Sequence, residues 1–409
     1  MNHPASRHSL RALDALNLVL ADVRDGLGPY LAIYLATKAW DPARIGLAMA
    51  AMGVATVIAQ TPAGWWIDRT RHKQALMVGA ALMIGLASVA MVLVPSFSVI
   101  LGAQAAIGLA STIFAPAIAA ISLGMVGHAG LPERTGRNEA FNHGGNVVAG
   151  VLAGLIGDRI AYEGIFYLLA GMCGLSVMAT LAIRRDDIDD VLARGGEAGH
   201  GATDELGRSA TTLPAAGAIR VLFSDRRVLI FMAAVVLFHC AYAAMLPLVG
   251  QKLTADMTAG VAGAMSACII AAQLVMVPVA LGASRLAQGW GRRPTFLIGF
   301  AVLPVRGLLS TLTDDSRWLV AIQLLDGVGA GIFGVVGVLT VADLTRGTGR
   351  FNLMQGALAT TTGIGSAASL YLTGLVVSHF GFNTGFLALA MIAGLALAFY
   401  ALLMPETRS

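Results

Sequence analysis

Three ionisable residues fall within four positions of an otherwise apolar run, LNLVLADVRDGLGPYLAIYLA: Asp22, Arg24 and Asp25. Carboxylates in such surroundings can take up and release protons or hold a cationic group, and a guanidinium can pair with either of them. Asp22, Gly26 and Pro29 recur at spacings of four and three and so share one helix face. Asp25 lies close to that face, while Arg24 points substantially away from it. Gly26, Gly28 and Pro29 weaken the helix locally, which can open a polar site or permit a bend. Two further charges stand in apolar runs, Arg306 in AVLPVRGLLS and Asp326 in AIQLLDGVGAGIFG. Asp22 is the first candidate for a protonation or cation site and Asp25 the second; the competing reading is an internal salt-bridge network that includes Arg24. Arg306 and Asp326 either pair with each other or line an aqueous path, with direct contact between Arg306 and an anion a third reading. His143 and His239 titrate near neutrality when solvated, but packing and hydrogen bonding would equally account for them. Tyr30, Tyr34, Gln60, Asn146, Tyr242 and Gln273 could add polar or aromatic surface to a cavity, or bond between helices.

The elements that must position these residues follow from composition. The chain of 409 residues is 57% hydrophobic and only 12% charged, with a mean hydropathy of +0.76. A soluble domain carries about 25% charged residues, so too little polar material is present to cover a soluble surface. Apolar runs at 14–36, 43–67, 75–94, 97–125, 140–157, 163–183, 228–250, 258–283, 295–312, 318–341, 352–378 and 382–403 give twelve spans. Most reach the roughly 20 residues that cross a bilayer core of about 30 Å; 140–157 and 295–312 are marginal. Backbone groups in lipid must be satisfied within the protein, so the spans are predicted to be helices. The fold class is therefore an all-α membrane protein.

The longest polar stretch, 184–227, divides the spans six and six. It predicts an N-terminal half at 1–183, a central cytoplasmic linker and a C-terminal half at 228–409, with short surface helices at IDDVLA and AIRVLF. The Asp186, Asp187, Asp189 and Asp190 group reads as a solvated face rather than a metal site. With the N terminus inside, only Lys38, Arg44, Arg159, Lys252 and Arg317 fall outside and only Arg24 and Arg306 lie within spans; all other Lys and Arg are cytoplasmic. That bias predicts both termini in the cytoplasm. The leading MNHPASRHSLRALDAL lacks a small-residue cleavage site after a short apolar region, so the first helix is expected to stay as an anchor. Cys173, Cys240 and Cys268 all lie in apolar runs and suggest packing, not a disulfide or metal framework. The net charge of +4 comes without a basic stripe or interleaved aromatics, which argues against nucleic acid. No nucleophile, metal or acid–base constellation stands out, and no phosphate-binding loop, so an enzyme, a cofactor and direct ATP hydrolysis are not expected.

The halves echo each other. TGRNEAFNHGG at 135–145 leads into span five and TGRFNLMQG at 348–356 into span eleven, while DRTRHK at 68–73 and QGWGRRP at 288–294 occupy corresponding loops. Matched loop chemistry implies two pseudo-symmetric six-helix halves. Over essentially its whole length the chain resembles the major facilitator superfamily, and among its members the bacterial proton-coupled drug or metabolite exporters. The most specific match is GWWIDRTRHK, where Gly64, Asp68, Arg69, Arg71, His72 and Lys73 occupy the places of that family's loop signature; Arg71 stands where the family often has a second glycine. The second-half counterpart has Ser284, Gln288 and Gly289 in place of the first glycine, the acid and the base, and keeps Gly291, Arg292, Arg293 and Pro294. HGGNVVAGVLAGLIG, from His143 to Gly157, lacks the proline of the family's Gly-rich exporter signature. Gly150, Gly154 and Gly157 nevertheless predict close helix packing.

Asp68 falls at the C-terminal end of span two, where its own helix dipole is unfavourable, so a neighbouring helix N-terminus or an arginine should compensate it. The resemblance brings the start of span eleven nearby and implies a cytoplasmic gate of Gly64, Asp68, Arg69, Arg71 and Lys73 with Arg346, Arg350 and the first amides at 351–354. The alternative is a static topology anchor. It also implies that span one contributes to a central cavity, and that the molecule works as a monomer among membrane lipids. The expected function is secondary transport by alternating access, with proton-coupled efflux of a small organic molecule first. Proton-coupled uptake of a metabolite is the nearest alternative, and a ligand-binding sensor or assembly protein the different class. A preference for Arg over Lys with abundant Ala and Gly points to a bacterial inner membrane.

Overall fold

The computed structural model describes residues 6–25, 28–190, 192–194, 225–345 and 351–407, with the backbone alone at 22, 24, 25, 61, 65, 68, 69, 128, 129, 132, 194 and 351–353. All secondary structure among the described residues is helical: α1 (Arg7–Asp25), α2 (Gly28–Thr37), α3 (Pro42–Arg69), α4 (Lys73–Leu93), α5 (Phe97–Ser111), α6 (Phe114–Arg159), α7 (Glu163–Ala182), α8 (Arg226–Tyr242), α9 (Met245–Asp256), α10 (Val261–Gly289), α11 (Arg292–Thr311), α12 (Ser316–Leu344) and α13 (Phe351–Leu403). Residues in AIRVLF lie outside the described residues. Of IDDVLA, at 188–193, only the last two residues are helical, in a 3-10 turn at Leu192–Arg194, with 191 outside the described residues; another 3-10 turn, Arg185–Asp187, precedes it.

Surface chemistry is that of a protein solvated by lipid. Leu86, Leu281, Leu312 and Leu402 are among many large apolar side chains facing outward, while Arg306, Asp326, Asp14 and Lys252 are buried. In water so much exposed apolar surface would drive association; in hydrocarbon it costs nothing. Among the described residues nine helices are long and apolar enough to cross a membrane. The difference from twelve has local causes. Span one is shared between α1 and the short α2. Span five is diluted by Asn142, His143, Asn146 and its glycines, and spans eleven and twelve follow one another inside α13.

Two compact units are formed, one from residues 1–34, 51–201 and 259–266, the other from 35–50, 202–258 and 267–409. In the first, α1 packs on α6 and α7, and α4 on α5 and α7. Leu13, Leu16, Leu20 and Val23 recur at helical spacing and form the buried face of α1. Gly145 of α6 admits the closest approach: a Cβ there would lie 2.0 Å from the carbonyl oxygen of Leu18. The stripe predicted in span five packs in the same way, since a Cβ on Gly154 would lie 2.3 Å from Ser266 Oγ and one on Gly157 2.5 Å from Ala262 Cβ. Gly127, at φ 68°, turns the chain within α6.

In the second unit α8 lies along α13, and α11 packs on both α12 and α13. Its core is aromatic: Phe300 stacks on Tyr400 at 4.8 Å between ring centroids and meets Phe238 edge-on at 4.9 Å. Such pairs add about 0.5–1.5 kcal/mol each beyond area burial. Gly381, at φ 81°, turns α13. Asp225 and Asp315 cap α8 and α12, accepting from the amides of Arg227 and Arg317, each at 2.8 Å.

Candidate functional site

α11 and α12 bring two of the sequence-predicted charges together. Arg306 is 1% exposed and its Nη1 lies 2.6 Å from Asp326 Oδ1. That contact is an ion pair by distance rather than an aligned hydrogen bond. The aligned bond runs from Arg306 Nη2 to Gln323 Oε1, at 2.6 Å. Gln323 and Asp326 are three residues apart on α12 and present both acceptors to the guanidinium from one helix face. Gln323 is itself fixed by donating to the carbonyl of Leu319 at 3.0 Å. The Tyr242 ring completes the surround, with its centroid 5.8 Å from the guanidinium carbon. Of the alternatives open to Arg306 and Asp326, pairing is the one observed.

A second buried network was not anticipated. Asp14, 5% exposed on α1, pairs with Arg134 and Arg137 of α6. Arg137 donates to both carboxylate oxygens, Nη2 to Oδ2 at 2.8 Å and Nε to each at 3.0 Å. Arg134 donates through Nε to Asn138 Oδ1 at 2.8 Å, and Asn138 passes a hydrogen bond to Ser122 Oγ at 2.9 Å. Asn17 Nδ2 joins from α1, 3.1 Å from Asn138 Oδ1. Asp14 and Asn17 lie three residues apart at the lip of an apolar helix, a spacing that could have signalled a polar face. With the carboxylate fully engaged, the network holds α1 to α6.

Lys252, expected in an outer loop, is instead buried and caps the end of α11. Its Nζ donates to the carbonyls of Ser310 and Thr313 at 3.2 and 2.8 Å and lies 2.8 Å from Asp314 Oδ1. A cation suits the negative end of a helix.

Asp22, Arg24 and Asp25 occupy the last turn of α1, and α2 begins at Gly28 with Pro29 as its second residue. Tyr30 and Tyr34 are buried rather than cavity-lining. Tyr30 OH is 2.8 Å from Ser266 Oγ, which donates to the Gly150 carbonyl at 2.7 Å, and Tyr34 packs on Phe166 at 4.9 Å. His239 bonds through Nδ1 to the Val235 carbonyl at 3.1 Å and sits among Phe238, Tyr242 and Phe333. Packing is its evident role.

Asp68 and Arg69 are the last two residues of α3, the helix end expected for them. Among the described residues nothing lies within 4 Å of a Cβ placed on Gly64. The turn that follows is tied to the 3-10 turn after α7, where Arg185 Nη2 donates to the Arg71 carbonyl at 3.3 Å, and within it Lys73 Nζ donates to the Thr70 carbonyl at 2.9 Å. Asp187 in turn accepts from Ser6 and Ser9, so it is not a merely solvated acid. Arg346 and Arg350 lie outside the described residues. The second-half loop is built differently. Arg292 Nε pairs with Asp343 Oδ2 at 2.9 Å, and Glu406 accepts from the first amides of α11, those of Arg292 and Arg293, at 2.8 and 3.1 Å.

Comparison with known proteins agrees with this architecture. The family model described as Major Facilitator Superfamily matches residues 15–287 and 245–409. Two Mycobacterium tuberculosis proteins, the uncharacterized MFS-type transporters MT2531 and Rv2456c, are each 49% identical over 398 residues, covering 97% of this chain and 93% of theirs. Among solved structures, a mutant of nucleoside transporter NupG aligns with a TM-score of 0.79 at 16% identity, over 97% of this chain and 99% of that one. A bacterial homolog to human lysosomal transporter Spinster, inward-facing and unoccupied, aligns with a TM-score of 0.76 at 13% identity, over 97% of this chain and 96% of that one. At these identities the structural likeness is one of fold.

Proposed function

This chain belongs to the Major Facilitator Superfamily, and from that premise we propose that it exports a small organic molecule in exchange for protons. Membership makes it a multi-pass secondary active transporter of a small molecule, not an enzyme. The finer reading is of two six-helix halves, 1–183 and 228–409, rocking about a central site and joined by a cytoplasmic linker at 184–227, with both termini in the cytoplasm of a bacterial inner membrane. Twelve spans are reached when α1 with α2, the second part of α6 and the two arms of α13 are added to the other helices.

The observation that carries proton coupling is the buried Arg306–Asp326 pair. Ionisable residues within a membrane are expensive and are kept mainly where they carry ions, protons or ligand charges. A proton on Asp326 leaves Arg306 with Gln323 and Tyr242 and frees its charge for a polar or anionic group; loss of the proton restores the pair. Asp22 and Asp25, with Arg24 nearby, supply a second proton or cation position where span one passes from α1 to α2. Gly64, Asp68, Arg69, Arg71 and Lys73 work the cytoplasmic gate against Arg346 and Arg350, in a monomer surrounded by lipid.

The experiment compares intracellular and extracellular metabolites, with an added panel of toxic compounds, in cells lacking the protein or expressing wild type, Asp22→Asn or Asp326→Asn at equal membrane levels. A compound depleted inside and enriched outside with wild type alone supports export and both carboxylates. Reverse partition makes the protein an importer. Equal transport by wild type and a variant removes that carboxylate from coupling.

A further inference from the structure

A cavity of about 370 Å³ opens between the first turns of α1 and the part of α6 around and beyond Gly127, lined by Arg7, Leu10, Arg11, Asp14, Val126, Gly130, Glu133, Arg134 and Arg137. Its walls are two helix faces. Arg7, Leu10, Arg11 and Asp14 recur at spacings of three, one and three along α1, and Gly130, Glu133, Arg134 and Arg137 at three, one and three along the arm of α6 beyond Gly127, with Val126 on the arm before it. Four arginines face two carboxylates, a formal balance of +2. Those charges are not equivalent. Asp14 is consumed by Arg134 and Arg137, whereas Arg7 and Arg11 are exposed and form no ion pair among the described residues. Glu133 alone is left to offset them. The built, buried part of the network thus fixes one wall, and two free guanidinium forks occupy the other.

The position of the cavity narrows the ligand. Arg7 and Arg11 directly precede the first apolar span, at 14–36, and Glu133 to Arg137 directly precede the fifth, at 140–157. Both walls therefore sit where the chain enters hydrocarbon, at headgroup depth. We propose that this cavity binds a phosphate-bearing anion. Planar guanidinium forks match phosphate oxygens two at a time, and basic recesses between membrane helices hold phospholipid headgroups. Leu10 and Val126 add apolar wall beside the charges, which suits the glycerol and first methylenes of a lipid. Placing the site in the inner leaflet rests on the cytoplasmic N terminus proposed above; the binding chemistry does not.

The test uses purified full-length protein in nanodiscs or mixed micelles of phosphatidylcholine titrated with phosphatidylglycerol, and separately with soluble glycerol phosphate. Retention of phosphatidylglycerol is read by mass spectrometry of the intact complex, with the thermal midpoint as a second readout. The double variant Arg7→Gln/Arg11→Gln alters exposed side chains outside the Asp14 network, so it should fold; Arg7→Lys/Arg11→Lys keeps the charge and loses the forks. Arg317→Gln, at the start of α12, controls for the loss of an exposed positive charge elsewhere. Wild type is expected to prefer phosphatidylglycerol over phosphatidylcholine, and the Gln pair to weaken that binding by about 30-fold, two cations at roughly fivefold each. The Lys pair should keep a measurable part of it. Competition by soluble glycerol phosphate would identify a free phosphate compound as the occupant, and its absence a lipid. No preference for the anionic headgroup, or equal losses in the Gln pair and Arg317→Gln, would overturn the proposal. Binding is measured without transport, so this result and the export result can fail separately.

Discussion

Arg306 and Asp326 show what a single pair of residues contributes and what it does not. Burying both charges is costly, and their attraction returns roughly that cost, so the pair is a poor device for stability alone. Removing one member leaves the other uncompensated. Arg306→Leu should therefore destabilise the protein by about 3–5 kcal/mol, while Arg306→Leu/Asp326→Leu should recover most of that loss yet fail to transport. Chemical denaturation of the detergent-purified variants checks the first claim and the cellular partition assay the second. A double variant as unstable as the single one would show that the site depends on more than charge balance. Both residues were legible in the sequence because a charge within an apolar run stands out, and their pairing was one of the readings it offered. Asp14 was not legible. It sits at the edge of span one, where charges usually mark topology, and its arginine partners lie 120 and 123 positions away; only the fold makes them neighbours.

At the scale of elements, close packing and gating separate cleanly. A side chain at Gly145 would run into the Leu18 carbonyl, so Gly145→Ala should force α1 from α6 and cost about 1–3 kcal/mol, read as a lowered unfolding midpoint. Among the described residues nothing lies within 4 Å of a Cβ placed on Gly64, so Gly64→Ala should leave that midpoint unchanged and any loss of transport would arise from another conformation, as a gate requires. The tether between linker and α1 should be acid-sensitive. Hydrogen bonds from Ser6, then Ser9, hold the Asp187 carboxyl below its ordinary value of 3.8. A depressed carboxyl contributes above its unfolded value and stops contributing as pH falls through the folded one. Proteolysis of the 185–194 segment should thus stay constant near neutrality and rise only below about pH 4; an Asp187→Asn variant should show the higher rate at neutral pH. The helices themselves were legible as apolar runs. Their joins were not, since the turns at Gly127 and Gly381 rest on glycines that look like the many others in the chain.

For the whole molecule, orientation and coupling are the remaining claims. In a variant with Cys173, Cys240 and Cys268 replaced by Ala, a membrane-impermeant maleimide applied to intact cells should label Arg44→Cys and spare Arg184→Cys; the reverse pattern would invert the topology. Membership of the superfamily was readable from the loop signature and repeated loop chemistry, and the multi-span helical fold from the apolar runs, because backbone in lipid must be helical. Substrate identity was not, because specificity rests on the three-dimensional placing of a few polar groups that no apolar run or loop signature encodes. The most direct measurement reconstitutes the protein in vesicles loaded with a pH-reporting dye and adds the compound found by the partition assay. Wild type should move protons whenever the compound crosses, and Asp326→Asn should abolish that proton movement while still exchanging labelled for unlabelled compound. Proton movement undiminished in Asp326→Asn, or transport by wild type with no proton movement at all, would contradict the account.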